Sequence, residues 1–138
     1  MAYAQWVVIQ IINNFRSGKI NVKNARIFWG KFHDHTNKDN EIGSDIVSKI
    51  EIPANSTTKI YSCGRSDSAT GTEGQFDLYD GDHKICTIYW DCPWGSKDNN
   101  FEIRDHDVVK TEYMVSKGDW NKYSGALGDV DVEIARKG

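Results

Sequence analysis

The sequence predicts an all-β fold, specifically a single-domain antiparallel β-sandwich. Apolar and polar residues alternate with a period of two in one run after another, whereas helical periodicity is almost absent. Turn signals separate these runs at short intervals, and the chain has 12 Gly but only 2 Pro. A chain of 138 residues is long enough to bury a core of its own. We therefore expect one β-sandwich domain over residues 1–138.

The predicted strands follow one another along the chain. The first, from Tyr3 to Ile12, is apolar on both faces, as in a central sandwich strand. The later ones centre on alternating apolar residues: Ile20 and Val22, Ile50 and Ile52, Phe76 and Leu78, Phe101 and Ile103, and Val130, Val132 and Ile134. Turns are predicted at Ser17–Gly18, Pro53–Asn55, Gly71–Gly74, Asp80–Asp82, Pro93–Ser96 and Ser124–Gly125.

The most informative segment is YWDCPWGSK, which runs from Tyr89 to Lys97. An apolar strand from Ile85 to Trp90 leads into a proline turn that carries Trp94, a glycine and a lysine. Large aromatic rings beside a cation offer stacking and cation–π contacts. The segment holds no paired nucleophile and base, so it predicts a recognition surface rather than a catalytic one.

Strand alternation separates the aromatic residues of this segment. Tyr89 and Trp90 are adjacent on one strand, so their side chains point to opposite faces. If Tyr89 faces the surface, Trp90 belongs to the core. A core position is also the favoured interpretation for Trp6, which lies inside the first strand.

Four residues, Trp29, Tyr89, Trp94 and Lys97, are the candidate binding residues. An aromatic cage attracts a quaternary ammonium through cation–π contacts. Lys97 could engage an adjacent phosphate through charge-assisted hydrogen bonds. Together they would bind a head group such as phosphocholine or phosphoethanolamine. The alternative is that one or more of these rings belong to the core.

Composition argues against several other functions. The net charge of −3 and the pI near 5.8 argue against nucleic-acid binding and against binding to anionic membranes by bulk charge. Cys63, Cys86 and Cys92 match no zinc pattern, and we expect small buried thiols. No catalytic motif stands out, and we expect neither an enzyme nor a cofactor.

Two polar segments invite hypotheses that their patterns do not favour. The stretch 33–41, HDHTNKDNE, does not match the calcium-loop pattern, so no metal site is expected and a solvated loop is favoured. The loop from Cys63 to Gly74 has three glycines but lacks the phosphate-loop motif. Arg65 either pairs with Asp67 inside this loop or lies near the mouth of the binding pocket.

No signal peptide is visible, because the opening residues MAYAQW contain no basic region and no cleavage site follows an apolar run. We therefore expect a protein that is cytoplasmic or released by a non-classical route, or both, and that acts at target-cell membranes.

Segments spread over nearly the whole chain resemble the aegerolysins. They stand, in the family's order and spacing, at 2–7 (AYAQWV), 24–31 (NARIFWGK), 63–67 (CGRSD), 76–78 (FDL), 89–97 (YWDCPWGSK) and 124–128 (SGALG). The chain is identified on these segments as a member of that family. The resemblance implies a β-sandwich related in shape to the actinoporins.

The resemblance also implies a function. Aegerolysins bind membrane sphingolipids, commonly sphingomyelin with cholesterol or ceramide phosphoethanolamine. Several target a perforin-like (MACPF) partner to membranes as one half of a two-component, pore-forming cytolysin. Haemolytic or insecticidal activity is therefore expected.

The family's head-group pocket corresponds to Trp29, Tyr89, Trp94 and Lys97, and Trp6 matches an aromatic near the lipid-facing region. Thr70 stands where several mushroom relatives carry Glu, a position tied to sterol dependence. Sterol-dependent sphingomyelin binding is thus in doubt. A lectin that binds a glycan through the same aromatic patch is the alternative function.

Overall fold

Alternating burial along the strands builds two β-sheets that enclose one hydrophobic core. The computed structural model describes residues 2–138, so Met1 of the predicted domain lies outside the described residues. The six-stranded sheet contains, in spatial order, β10 (Tyr113–Lys117), β11 (Gly128–Arg136), β1 (Trp6–Asn13), β6 (Ser56–Cys63), β3 (Lys31–His33) and β4 (Glu41–Ile42). The five-stranded sheet contains β5 (Glu51–Pro53), β2 (Lys19–Trp29), β7 (Thr72–Asp80), β8 (His83–Cys92) and β9 (Asn100–Arg104).

The all-β sandwich is confirmed, with one departure from a purely antiparallel arrangement. Every strand pair in the part of the chain that the structure describes is antiparallel except β1–β11, which is parallel. A parallel pair cannot be joined by a hairpin and needs a long connection. Here that connection is almost the whole chain, because Val7 pairs with Gly128.

Three sequence predictions about elements need correction. The first strand begins at Trp6 rather than Tyr3, because a turn closed by the Gln5 amide on the Ala2 carbonyl precedes it. The predicted turn at 71–74 is the start of β7. The strand predicted around Ile50 and Ile52 begins only at Glu51, which leaves Ile50 outside it. The other predicted strand centres are present, but β3, β4, β6, β10 and the four-residue helix α1 (Ser44–Val47) were not predicted.

The core is built from the inward faces of both sheets. Trp90 is fully buried and lies with its ring 5.9 Å from the rings of Phe32 and Phe76. The core position predicted for Trp90 is therefore confirmed. Trp6 differs, since it is half-buried on the outward-facing side of β1, where Lys38 Nζ lies 5.6 Å from the ring centre.

Gly30 transfers the chain from one sheet to the other. It is the single residue between β2 and β3 and has φ of +83°. A Cβ atom there would lie 2.5 Å from the Cys63 carbonyl oxygen, so only glycine fits. This crossing leaves Trp29 at the very end of β2.

The three thiols are buried, as predicted, and the structure shows that they are also free. Burial raises the pKa of Cys86 to about 12 and that of Cys92 to about 11. Within residues 2–138, no helix has the length and apolar character needed to cross a membrane.

Candidate functional site

A cleft of about 250 Å³ lies at one end of the five-stranded sheet. Three of its lining residues, Trp29, Trp94 and Lys97, belong to the predicted binding set, and Thr70 lines it as well. The sequence places these residues far apart. They meet because the C-terminal ends of β2 and β8 lie next to the N-terminal end of β7, at one end of the sheet.

The floor of the cleft is a row of cross-strand neighbours. Trp29 of β2 pairs with Glu73 of β7, which pairs in turn with Asp91 of β8. Directly opposed residues in a sheet project from the same face, with Cβ atoms about 5 Å apart. One aromatic side chain and two carboxyl groups therefore stand side by side.

The walls of the cleft expose large aromatic surface. Trp29 is 58% exposed and Trp94 is 41% exposed, whereas the neighbouring Trp90 has no exposed surface. The turn that presents Trp94 and Lys97 contains Gly95 at φ of +89°, a conformation that other residues adopt only with strain. Exposed indole rings that line one cleft form an apolar patch, a feature that is common at binding surfaces.

Tyr89 lies beside the cleft but outside its lining. It is only 8% exposed, because the Arg104 guanidinium covers the ring at 3.6 Å from its centre. The phenol donates a hydrogen bond to the Glu73 carboxylate. Burial and this hydrogen bond to Glu73 raise the pKa of Tyr89. In this arrangement Tyr89 holds Glu73 in place and does not offer its ring face to a ligand.

The surroundings of Asp91 disfavour its charged form. Burial, together with the neighbouring Glu73 carboxylate, raises the pKa of Asp91, and the charge of Lys97 only partly opposes this. Within residues 2–138 the Asp91 carboxylate accepts no hydrogen bond and forms no ion pair. Lys97 likewise forms no ion pair with a described residue. The cleft is therefore lined by two carboxyl groups, of which Glu73 already has the Tyr89 phenol as a partner, and by a separate ammonium.

The loop before β7 closes the cleft on one side. Ser68 and Thr70 share a hydrogen bond of 2.8 Å between their hydroxyl groups. Gly71 packs so closely on the end of β8 that an added Cβ would lie 1.8 Å from the Cys92 carbonyl oxygen. This contact holds Thr70 against the turn that carries Trp94.

Two other predicted residues lie away from the cleft. Trp6 belongs to the six-stranded sheet, not to the five-stranded sheet whose edge forms the cleft. Arg65 is exposed, does not line the cleft and donates to both carboxylate oxygens of Glu41 at 2.9 Å, while the charge of Asp67 also acts on it. Both remain predictions as lipid-proximal residues.

Sequence reasoning missed the two acidic residues of the floor. Asp91 stands within YWDCPWGSK, and alternation with Trp90 already pointed it outwards. Glu73 lies in the segment predicted as a turn, so its register with Asp91 was hidden. No group of three or more potential metal ligands occurs in residues 2–138.

Comparison with known proteins assigns the family. The sequence model of the family Aegerolysin matches residues 4–137. The chain is 47% identical over 136 residues to Asp-hemolysin of Aspergillus fumigatus, covering 99% of this chain and 96% of that protein. It is 41% identical over 141 residues to ostreolysin A6 of Pleurotus ostreatus, covering 100% and 99% of the two chains.

A solved structure agrees with the sequence comparison. The RahU protein, crystallised in complex with a TRIS molecule, superposes with a TM-score of 0.91 at 34% identity, covering 99% of this chain and 98% of that one. The chain is similar to these proteins in sequence and in fold over nearly its full length. This similarity supports a lipid-binding, haemolysin-like role. The chain belongs to the aegerolysin family.

Proposed function

We propose that the protein recognises the phosphate-containing head group of a membrane sphingolipid, sphingomyelin or ceramide phosphoethanolamine, and performs no catalysis. The observation that carries the proposal is the cleft itself. Two exposed indole rings, Trp29 and Trp94, stand beside the unpaired Lys97 ammonium. Aromatic faces attract an organic cation, and an ammonium attracts a phosphate, so a zwitterionic head group meets both.

The relatives support a small cationic ligand. TRIS, present in the RahU structure, is a small organic ammonium. Asp-hemolysin bears a name that denotes lysis of red cells, which is an activity at a membrane. Both facts concern those proteins, and they are consistent with a head-group cleft in this chain.

In this proposal the protein is the targeting component of a two-component cytolysin. Bound to the outer surface of a target membrane after non-classical release, it recruits a perforin-like (MACPF) partner, which inserts and forms the pore. Family membership is the support for this step. Lysis of sphingolipid vesicles is then expected to require both proteins, and lysis of sphingolipid-free vesicles by the pure protein alone would overturn it.

The first test is the removal of one aromatic wall. Trp94→Ala is expected to lower the amount of protein sedimented with sphingolipid vesicles about tenfold, because one cation–π and stacking surface is lost. Met114→Ala removes a 59% exposed side chain of β10, outside the cleft, and is the matched control. Thermal unfolding establishes that both variants fold.

Vesicle composition distinguishes the lipids. Sphingomyelin with cholesterol, sphingomyelin alone and ceramide phosphoethanolamine are compared in the same sedimentation assay. Because Thr70 stands at the cleft in place of a carboxylate, we expect binding without a requirement for sterol. Undiminished vesicle binding by the Trp94→Ala, Trp29→Ala and Tyr89→Ala variants would show that the cleft is not the lipid-binding site. Inhibition of binding by free sugars but not by sphingolipid vesicles would favour the alternative function, a lectin.

A further inference from the structure

We infer that Phe28 and Tyr123 form an aromatic rim outside the cleft and enter the interfacial layer of the membrane beside the bound lipid. Neither residue lines the cleft. This inference rests on the proposed function, since it describes how the same end of the molecule meets the bilayer. In this arrangement the cleft selects the lipid, whereas the rim supplies affinity for the bilayer and fixes the orientation of the protein on it.

The first argument is a β-bulge that exposes Phe28. Successive residues of a regular strand point to opposite faces, so Phe28 and Trp29 should not both reach solvent. The pairing of β2 with β7 shifts between Ile27 and Trp29, which leaves Phe28 as an extra residue without a partner on β7. As a result Phe28 is 42% exposed beside the exposed Trp29. Bulges that re-aim a side chain are common next to functional sites, and this one adds a second outward ring beside the cleft.

The second ring stands on the loop between β10 and β11, residues 118–127, which reaches the same end of the molecule. Asn99 follows the turn that forms one wall of the cleft, and its amide donates to the Tyr123 carbonyl oxygen at 3.0 Å. The Cys92 thiol, at the end of β8, donates to the Gly125 carbonyl oxygen at 3.3 Å. These contacts hold the loop against the wall of the cleft.

Hydrogen bonds fix the backbone of this loop although its tip is exposed. The Asn121 side chain donates to the carbonyl oxygens of Ser124 and Ala126 at 2.8 and 2.9 Å. It also accepts the Tyr123 amide at 3.1 Å. Tyr123 is nevertheless 76% exposed, and its hydroxyl forms no hydrogen bond within residues 2–138. A ring that a fixed backbone presents to water loses little entropy on binding, as a preorganised contact does.

The third argument is the distribution of exposed apolar residues over the surface. In the part of the chain that the structure describes, the large exposed aromatic side chains are Phe28, Trp29, Trp94 and Tyr123, and all four lie at the cleft end. The large exposed aliphatic side chains are Ile46, Val108, Val109 and Met114, on α1, the β9–β10 loop and β10. Aromatic rings gather at membrane–water interfaces, where an apolar body and a polar tip are both accommodated. This sorting favours a lipid interface around the cleft.

Lys122 adds a charge that suits the same surroundings. Its ammonium lies 5.0 Å from the centre of the Trp120 ring and forms no ion pair with a described residue. A lysine can lay its methylene groups on an apolar surface and keep its ammonium at the level of the lipid phosphates. Tyr123 and the adjacent Lys122 therefore match the apolar and the anionic layers of one leaflet.

The test separates the rim from the cleft. Phe28→Ala, Tyr123→Ala and the double variant are compared with the wild type by sedimentation with vesicles that contain sphingomyelin or ceramide phosphoethanolamine. Soluble phosphocholine and O-phosphoethanolamine are titrated in parallel and followed by the indole N–H resonances of the tryptophans. Val109→Ala removes an 87% exposed apolar side chain from the β9–β10 loop, at the opposite end of the sandwich, and is the matched control. Thermal unfolding establishes that all variants fold.

Each rim variant is expected to weaken vesicle binding about fivefold, and the double variant more, to the same extent for both lipids. Binding of the soluble head groups should stay within about twofold of the wild type, because only a vesicle offers an interfacial layer. Val109→Ala should change neither. Undiminished vesicle binding by the double variant, an equal loss for the soluble head groups, or an equal loss in Val109→Ala would each overturn the inference.

A fluorescent label reports insertion directly. Tyr123→Cys is alkylated with an environment-sensitive fluorophore, which the buried native thiols do not take up in the folded protein. The emission is expected to shift to shorter wavelength when the protein binds vesicles, whereas the same label on Val109→Cys should show no shift. Unchanged emission at position 123 in the bound protein would place the loop outside the membrane and contradict the inference.

Vesicles without sphingolipid distinguish this inference from the proposed function. If the wild type binds phosphatidylcholine vesicles as tightly as sphingolipid vesicles and the rim variants lose both, the rim stands and sphingolipid recognition fails. If sphingolipid-dependent binding persists in the double variant, sphingolipid recognition stands and the rim fails.

Discussion

The carboxyl group of Asp91 lines the candidate cleft in surroundings that disfavour its charge. Its ionised form is disfavoured in the folded protein by burial and by Glu73, and both causes raise its pKa. A ligand-binding group held in an unfavourable environment is a common feature of functional sites.

Asp91→Asn is accordingly expected to raise the melting temperature at neutral pH. An acid whose folded-state pKa is raised binds protons more tightly when folded, so the wild type loses stability as the pH rises from about 4 through the raised pKa. The Asn variant lacks this loss, and its advantage should be present at neutral pH and disappear near pH 3. Melting curves of both proteins across this range provide the measurement.

The same experiment has its own control. Glu133→Gln removes an exposed carboxylate of the other sheet. Substitutions at such surface positions change the free energy of unfolding little, so the melting temperature should stay the same. A melting temperature for Asp91→Asn equal to or below that of the wild type at pH 7 would show that Asp91 is stabilised by groups other than those described.

Residue roles in the YWDCPWGSK segment were predictable only in part. The opposite orientations of Tyr89 and Trp90 follow from the period of a strand alone, and the structure shows both. The contact of the Arg104 guanidinium with the Tyr89 ring could not be predicted from the sequence, because it depends on β9 pairing with β8. Pairing between strands that are distant in sequence is the information that one chain does not display.

At the scale of elements, the loop ending at Gly71 sets the shape of the cleft. Gly71→Ala is expected to destabilise the fold by about 1–3 kcal/mol, because a Cβ 1.8 Å from the Cys92 carbonyl oxygen forces the loop away from β8. Vesicle binding should fall in parallel, as Thr70 moves from the turn that bears Trp94. Denaturant unfolding and vesicle sedimentation measure the two effects.

Gly118→Ala is the comparison for this prediction. Its Cβ would meet its nearest neighbour, the Asp131 Cβ, at 3.7 Å, which is ordinary contact, and its effect should stay within about 0.5 kcal/mol. Equal stability of the Gly71→Ala and Gly118→Ala proteins would mean that the loop tolerates displacement from β8.

Elements with strong alternation were predictable, and those without it were not. The triplet Val130, Val132 and Ile134 marks β11 directly, since all three side chains are buried. By contrast β6, STTKIYSC, buries few apolar side chains and owes its pairing to β1. Strands β3 and β4 are only three and two residues long, which is too short for a period to show.

At the scale of the whole molecule, the three thiols report on the integrity of the core. All are buried, and the pKa of Cys86 is raised to about 12 by burial. Alkylation requires the thiolate, so native protein at about pH 8 is expected to resist iodoacetamide, while denatured protein labels at all three sites. Mass spectrometry after timed labelling measures this.

The labelling rate also distinguishes global from local opening. If the sandwich unfolds as a unit, the three sites should become labelled together at increasing denaturant. Early labelling of Cys92 alone would instead indicate that the cleft edge of β8 opens independently, as its place beside the Gly71 loop would permit.

The pairing of β1 with β11 also bears on how the protein is made. Residues 7–13 find their parallel neighbour only among residues 128–134, so the centre of the six-stranded sheet stays incomplete until β11 has been translated. A ribosome that stalls before Gly128 releases a chain with an open sheet edge, which is prone to aggregation. Translation of β11 is therefore a checkpoint: only a polypeptide that includes residues 128–134 completes the sheet that packs against the one bearing the cleft.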